Sequence, residues 1–182
     1  LQKIKQLKEL GKTATLSALL RPQSIEKDAA GNYKKFEYES EVCDLLRAID
    51  GSQEDENIFS FLNYDKIKEG EMCHHMVFVL PYRASCDAMQ ELITNNPDKF
   101  DNLSQYEIIN IAGVDGNTLY PSVETIKSKI KRCESEGKKT ITLTVNRMLT
   151  GNTVEEWDTM IFMKDTASPQ EYDQAIFRLQ NQ

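Results

Sequence analysis

From residue 76 onward, short apolar runs alternate with stretches of helical periodicity, and this alternation restricts the chain to a sheet wrapped by helices. Residues 76–80 (Met-Val-Phe-Val-Leu) form an unbroken apolar run, the pattern of a strand buried on both faces. Cys86, Met89, Leu92 and Ile93 follow at helical spacing, and Asn95-Asn96-Pro97-Asp98 stops that helix. Residues 106–112 read as a second strand, ending at Gly113. Val123, Ile126, Ile130 and Cys133 mark the next helix, closed by Gly137. Residues 140–145 read as a third strand and, after a polar loop, 159–163 as a fourth. Ser168 as N-cap, Pro169 at the first helical position and Glu171 completing a capping box announce a final helix. Its buried face is Tyr172, Ala175, Ile176 and Leu179. The order β-α-β-α-β-loop-β-α predicts an α/β fold, a parallel sheet with helices on both faces.

The N-terminal part has a different texture. Leu1, Ile4, Leu7 and Leu10 follow rough helical spacing, and residues 13–20 suit a strand or a helix equally. A turn is expected at 28–32. Val42, Leu45, Leu46 and Ile49 lie at i, i+3, i+4, i+7, one face of a helix that Gly51 ends. An acidic loop (52–57) and short helical pieces (58–62, 64–68) complete the stretch. Residues 1–70 are therefore expected to be a mainly helical insertion or linker, with the sheet domain in 71–182. The start carries neither an initiator Met nor a signal-peptide pattern, and the end stops inside a helical pattern, so a longer parent chain is expected.

The net charge of −7 argues against a free-standing nucleic-acid-binding module, which usually carries a basic excess. Any such contact must be local or shared with another domain. No run reaches the ~18–20 apolar residues of a membrane span. The four cysteines (Cys43, Cys73, Cys86, Cys133) form no CxxC pair, and reduced thiols in a cytoplasmic protein are expected. Cys73-His74-His75 invites a zinc reading, but a zinc site needs about four converging ligands, and a loop entering a buried strand explains the residues better. Neither a Gly-x-x-x-x-Gly-Lys-Ser/Thr nor a Gly-x-Gly-x-x-Gly loop occurs, so the usual phosphate cradles are absent. Ligands of parallel sheets bind beyond the carboxyl ends of the strands. The loops 81–85, 113–118, 146–157 and 164–168 are the ones to watch.

Three segments carry a resemblance. Residues 174–181 (Gln-Ala-Ile-Phe-Arg-Leu-Gln-Asn) resemble motif VI of superfamily 2 helicases, Gln-x-x-Gly-Arg-x-x-Arg. Residues 145–158, with Thr150-Gly151, resemble motif V, in the form found in restriction-enzyme motor subunits. Residues 76–85, with Tyr82-Arg83-Ala84-Ser85, resemble motif IV. Residues 76–182 thus look like the second RecA-like domain of a DEAD/DEAH-type motor of type I or type III restriction systems, cut short at its C-terminus. The resemblance implies that Arg178 is an arginine finger acting on the transferring γ-phosphoryl group. It implies that Gln174, Asn181, Gly151 and Thr153 face the nucleotide, although Asn181 replaces the family's second arginine, Phe177 its glycine and Thr153 its aspartate. It also implies that Tyr82, Arg83, Ser85, Thr144, Asn146 and Thr150 contact the nucleic-acid backbone. ATP and Mg would be held mainly by a first RecA-like domain of the same parent chain, and DNA would be the substrate.

Each residue also has a plainer reading. Arg178 suits an ordinary capped surface helix, Gly151 a plain loop with positive φ, and Arg83 and Ser85 a satisfied surface turn. The alternative function is a non-catalytic α/β domain that binds nucleic acid or protein. A hydrolase or transferase is poorly supported, since no Gly-x-Ser-x-Gly elbow occurs.

Overall fold

A computed structural model describes residues 16–23, 35–50, 74–145 and 154–164. Its centre is a four-stranded sheet of β1 (His75–Leu80), β2 (Glu107–Asn110), β3 (Thr140–Val145) and β4 (Thr159–Phe162), ordered β2-β3-β1-β4. Every pairing is parallel, with Leu80 beside Val145 and Val77 beside Met160. The α/β architecture read from the alternating pattern is the one observed. β1 and β3 are buried along their whole length because helices or loops cover both faces.

The helices are α1 (Leu16–Leu19), α2 (Glu39–Asp50), α3 (Arg83–Thr94), α4 (Gly116–Leu119) and α5 (Val123–Ser135). From β1 to β2 the chain crosses the sheet in one direction; from β2 to β3 it returns. Right-handed crossovers then require α3 and α5 on opposite faces, and the core divides in that way. On one face Met76, Phe78, Leu80, Ile141, Leu143 and Ile161 pack with α1, α2 and α3. On the other, Val77, Val79, Ile109 and Met160 pack with Ile126 and Ile130 of α5 and with Trp157. Alternation along β3 sends Ile141, Leu143 and Val145 to the first face and its threonines to the second.

Residues 16–50 share the first core with the sheet, through Leu19, Leu20, Phe36, Val42, Leu46 and Ile49. The stretch 13–20, open between strand and helix, is helical over Leu16–Leu19. Two pairings were not foreseen. Pro22 bridges Phe36 in antiparallel fashion, with Gln23 N donating to Lys35 O and Glu37 N to Arg21 O. Asp50 Oδ1 accepts from the backbone N–H groups of Asn102 (2.9 Å) and Leu103 (2.6 Å), tying the end of α2 to a short 3-10 helix at Leu103–Gln105.

The expected stop of α5 is present, and its start is capped. Ser122 caps α5 by accepting from Thr125 N at 3.3 Å. Gly137, at φ 73°, ends it: Gly137 N donates to Glu134 O and Lys138 N to Cys133 O, the paired bonds of a left-handed helix stop. β2 is shorter than expected. Ile111 N still reaches Leu143 O, but the Asn110 side chain takes Gly113 N and turns the chain away. The expected final helix, the start of the chain and the pieces at 51–73 lie outside the described residues.

Candidate functional site at the carboxyl edge of the sheet

β1 and β3 are adjacent and end level with each other, at Leu80 and Val145. The chain therefore leaves the sheet after Leu80 and after Val145 at the same edge. Tyr82 is the N-cap of α3, with extended backbone (φ −132°, ψ 151°) and no side-chain cap. This helix N-terminus points its first N–H groups at the carboxyl edge, where the dipole favours an anion.

The four candidate residues that fall within the described region have different situations. Tyr82 is 44% exposed at the edge. Arg83 is half-buried, and its Nε donates to Ala112 O at 2.8 Å; it pairs with no carboxylate among the described residues. Ser85 is fully buried, and its hydroxyl donates to Leu20 O at 2.7 Å, fastening α3 to the end of α1. Thr144 is fully buried on the α5 face, with Oγ1 donating to Val145 O at 3.3 Å. Exposure and free polar atoms thus single out Tyr82 and Arg83 at this edge. Asn146, Thr150, Gly151, Thr153, Gln174, Arg178 and Asn181 lie outside the described residues.

Around Arg83 is a polar cluster that the motif reading passed over. Asn110, the last residue of β2, donates from Nδ2 to Asp87 Oδ1 (2.9 Å) and Gln90 Oε1 (3.0 Å). Its Oδ1 accepts from Gly113 N at 2.8 Å, and Asp87 Oδ2 accepts from Val114 N at 3.2 Å. A Cβ on Gly113 would overlap Asp87 Oδ1 and the Asn110 amide, so only glycine fits. Arg83, Asp87 and Gln90 sit at i, i+4 and i+7 on α3, one face of the helix, and together they hold the 110–114 loop. That spacing, followed downstream by Asn-x-x-Gly at a strand end, was the available signal. Its result is a β1–α3 turn and a β2 loop that are fixed to each other. Val114 on that loop and Leu119 at the end of α4 are exposed.

The other polar centres lie elsewhere. At the amino edge, Asp158 Oδ2 accepts from His74 N (2.9 Å) and His75 N (3.2 Å), while His75 Nδ1 meets Thr140 Oγ1 at 2.9 Å. Burial holds the His75 imidazole below its ordinary value, against the opposing pull of Asp158. Cys73 lies outside the described residues, among which no group of three His, Cys, Asp or Glu side chains is placed to hold a metal ion. Burial pushes the Cys86 thiol far up, with Asp87 adding to the effect, so it is no nucleophile. A polar hollow of about 340 Å³ between α2 and the end of α3, lined by Glu39, Cys43, Arg47, Asn96 and Lys99, lies apart from the carboxyl edge. No described helix is long and apolar enough to cross a membrane.

Comparison with known proteins gives one informative similarity. The chain is 27% identical, over 164 residues, to a Mycoplasma pneumoniae protein named "Putative type II restriction enzyme and methyltransferase RM.MpnORF110P C-terminus". The aligned part is 89% of this chain but only 22% of that protein, so the chain spans about a fifth of its relative's length. No protein-family description matches the chain, and no solved structure matches it.

Proposed function

We propose that the chain is the second motor domain of an ATP-dependent DNA translocase within a restriction-modification enzyme. The observation that carries the reading is the adjacency of β1 and β3, which sends the motif IV-like and motif V-like segments off one edge of a parallel sheet. Their order in the chain, the uncapped N-terminus of α3 at that edge and the similarity to a restriction-enzyme protein support it. On this reading, Tyr82 and Arg83 meet the nucleic-acid backbone, and a phosphate there gains from the helix dipole without reading sequence. Thr144 and Ser85 keep the edge in shape from below. Asn146 and Thr150 lie on the loop that touches DNA, and Gly151 and Thr153 carry that loop toward the nucleotide.

ATP, when bound, supplies the phosphoryl transfer that drives movement. ATP and Mg would be held mainly by the first motor domain of the parent. From this chain Gln174 and Asn181 would face the nucleotide, and the Arg178 guanidinium would meet charge that develops as the γ-phosphoryl group leaves. Because those charges sit on two domains, hydrolysis requires both to close on the nucleotide.

The test compares two proteins. The full-length enzyme should hydrolyse ATP with stimulation by duplex DNA, and the 182-residue chain alone should not exceed background. Turnover by the chain alone, or a full-length protein indifferent to DNA, would contradict the reading.

A further inference from the structure

The helix on the far side of the sheet, α5, has an outer face unlike the rest of the chain. Residues 123–139 hold six cations (Lys127, Lys129, Lys131, Arg132, Lys138, Lys139) and three carboxylates, in a chain whose net charge is −7. Three of the six are engaged. Lys129 pairs with Glu107 at 3.3 Å, Lys138 with Glu136 at 3.2 Å, and Lys139 lies 4.7 Å from the Tyr106 ring centroid. The remaining three, Lys127, Lys131 and Arg132, pair with no carboxylate among the described residues, and Lys131 and Arg132 are exposed.

Helical spacing puts these three together. Ile126, Ile130 and Cys133 are buried against the sheet. Opposite them runs a line of small hydroxyl residues, Ser128 and Ser135, with Lys127 and Lys131 on one flank and Arg132 on the other. Lys127 and Lys131 are one turn apart, and like charges at that spacing destabilise a helix. Glu124 and Glu134 stand three residues from Lys127 and Lys131, yet among the described residues no ion pair forms that would neutralise the two lysines. A row of fixed phosphates would do so, and the small residues between the cations let a backbone come close. The helix, about 20 Å long by its 13 residues, would span several successive phosphates of a duplex.

We propose that the outer face of α5 is a second DNA-contact surface, binding the phosphate backbone of duplex DNA through Lys127, Lys131 and Arg132. This surface lies on the opposite sheet face from α3 and its Arg83 turn. The inference rests on the reading of the chain as part of a DNA-acting enzyme. Within that reading it adds a contact for duplex held away from the motor cleft, without base recognition.

The test uses the full-length enzyme and its K127Q/K131Q/R132Q variant, each checked for folding by circular dichroism. Binding to two fluorescent duplexes of unrelated sequence is titrated between about 50 and 200 mM salt. The variant should bind both duplexes roughly tenfold or more weakly. Its plot of log affinity against log salt should be shallower by about 2.7, three phosphates at ~0.9 each. Should the triple variant misfold, K131Q alone should flatten the slope by ~0.9. Unchanged affinity and slope in a folded variant overturns the proposal, as does a loss confined to one duplex. Binding of a labelled oligoglutamate peptide that the variant abolishes, with duplex binding untouched, also overturns it and assigns the face to an acidic protein. ATP turnover on the same proteins separates the two claims. Wild-type protein that shows the slope change but no DNA-stimulated turnover refutes the motor and leaves the surface standing. DNA-stimulated turnover with a wild-type slope in the variant refutes the surface alone.

Discussion

His75 and Arg83 sit at opposite ends of the sheet, and each is held by a partner the sequence does not name. His75 is buried with its imidazole held below the ordinary value of about 6.5 by loss of solvent. The unfolded chain therefore binds a proton that the folded one refuses, and stability rises with pH between the folded and unfolded values. Stability from this group is complete above about pH 6.5 and declines as pH falls through that value toward the folded one. A urea midpoint measured at pH 7.5 should exceed that at pH 5.5, and a variant carrying H75L should show a smaller difference; equal differences in the two proteins would remove His75 as the cause. Arg83 donates to the buried carbonyl of Ala112. R83A leaves that oxygen without its charged donor, at a cost of about 1.5–3 kcal/mol, read as a shift in the urea midpoint at constant slope. In the full-length enzyme the same change should weaken binding to every duplex sequence alike and flatten the salt slope by about 0.9. Affinity lost for one sequence only would exclude a phosphate contact by Arg83.

At the scale of elements, what was legible followed from periodicity and punctuation. The apolar run at 76–80, the alternation at 140–145 and the spacing of Ile126, Ile130 and Cys133 each state a buried face, and those elements appear with boundaries moved by a residue or two. The Ser122 cap at the start of α5 was not read from the sequence, whereas Gly137 marks its end because a positive φ depends on local chemistry alone. Gly137→Ala tests this directly. A Cβ there would meet nothing within 4 Å, so the cost is conformational only, about 1 kcal/mol, with a lower thermal midpoint and an unchanged fold. No change in midpoint would mean the left-handed stop contributes little. The short 3-10 helix at 103–105 and the Pro22–Phe36 bridge were not legible, since each depends on a partner far along the chain: Asp50 for one, the returning strand for the other. The cluster of Asp87, Gln90, Asn110 and Gly113 was missed for a similar reason. Each residue alone is an ordinary polar surface residue, and only the crossing of α3 over the end of β2 brings them together.

For the whole molecule, strand order decides which loops can cooperate. The order β2-β3-β1-β4 makes β1 and β3 neighbours although 59 residues lie between the two strands, and the chain leaves both at a common edge. Among the described candidates the division of labour is physical: Tyr82 and Arg83 are accessible, whereas Ser85 and Thr144 are sealed in the core. The 27% identity spans about a fifth of the length of a protein named as a restriction enzyme and methyltransferase. If the chain completes an ATP site held by another domain, as proposed, turnover depends on Arg178. A guanidinium that meets charge developing in the transition state lowers the barrier without tightening ground-state binding. The decisive measurement is DNA-stimulated ATP turnover and ATP affinity on the same folded full-length R178A protein, with R178K beside it. Turnover should fall by roughly a thousandfold or more at nearly unchanged ATP affinity, with little recovery by lysine, whose ammonium lacks the planar fork. Wild-type turnover by R178A would contradict the proposal.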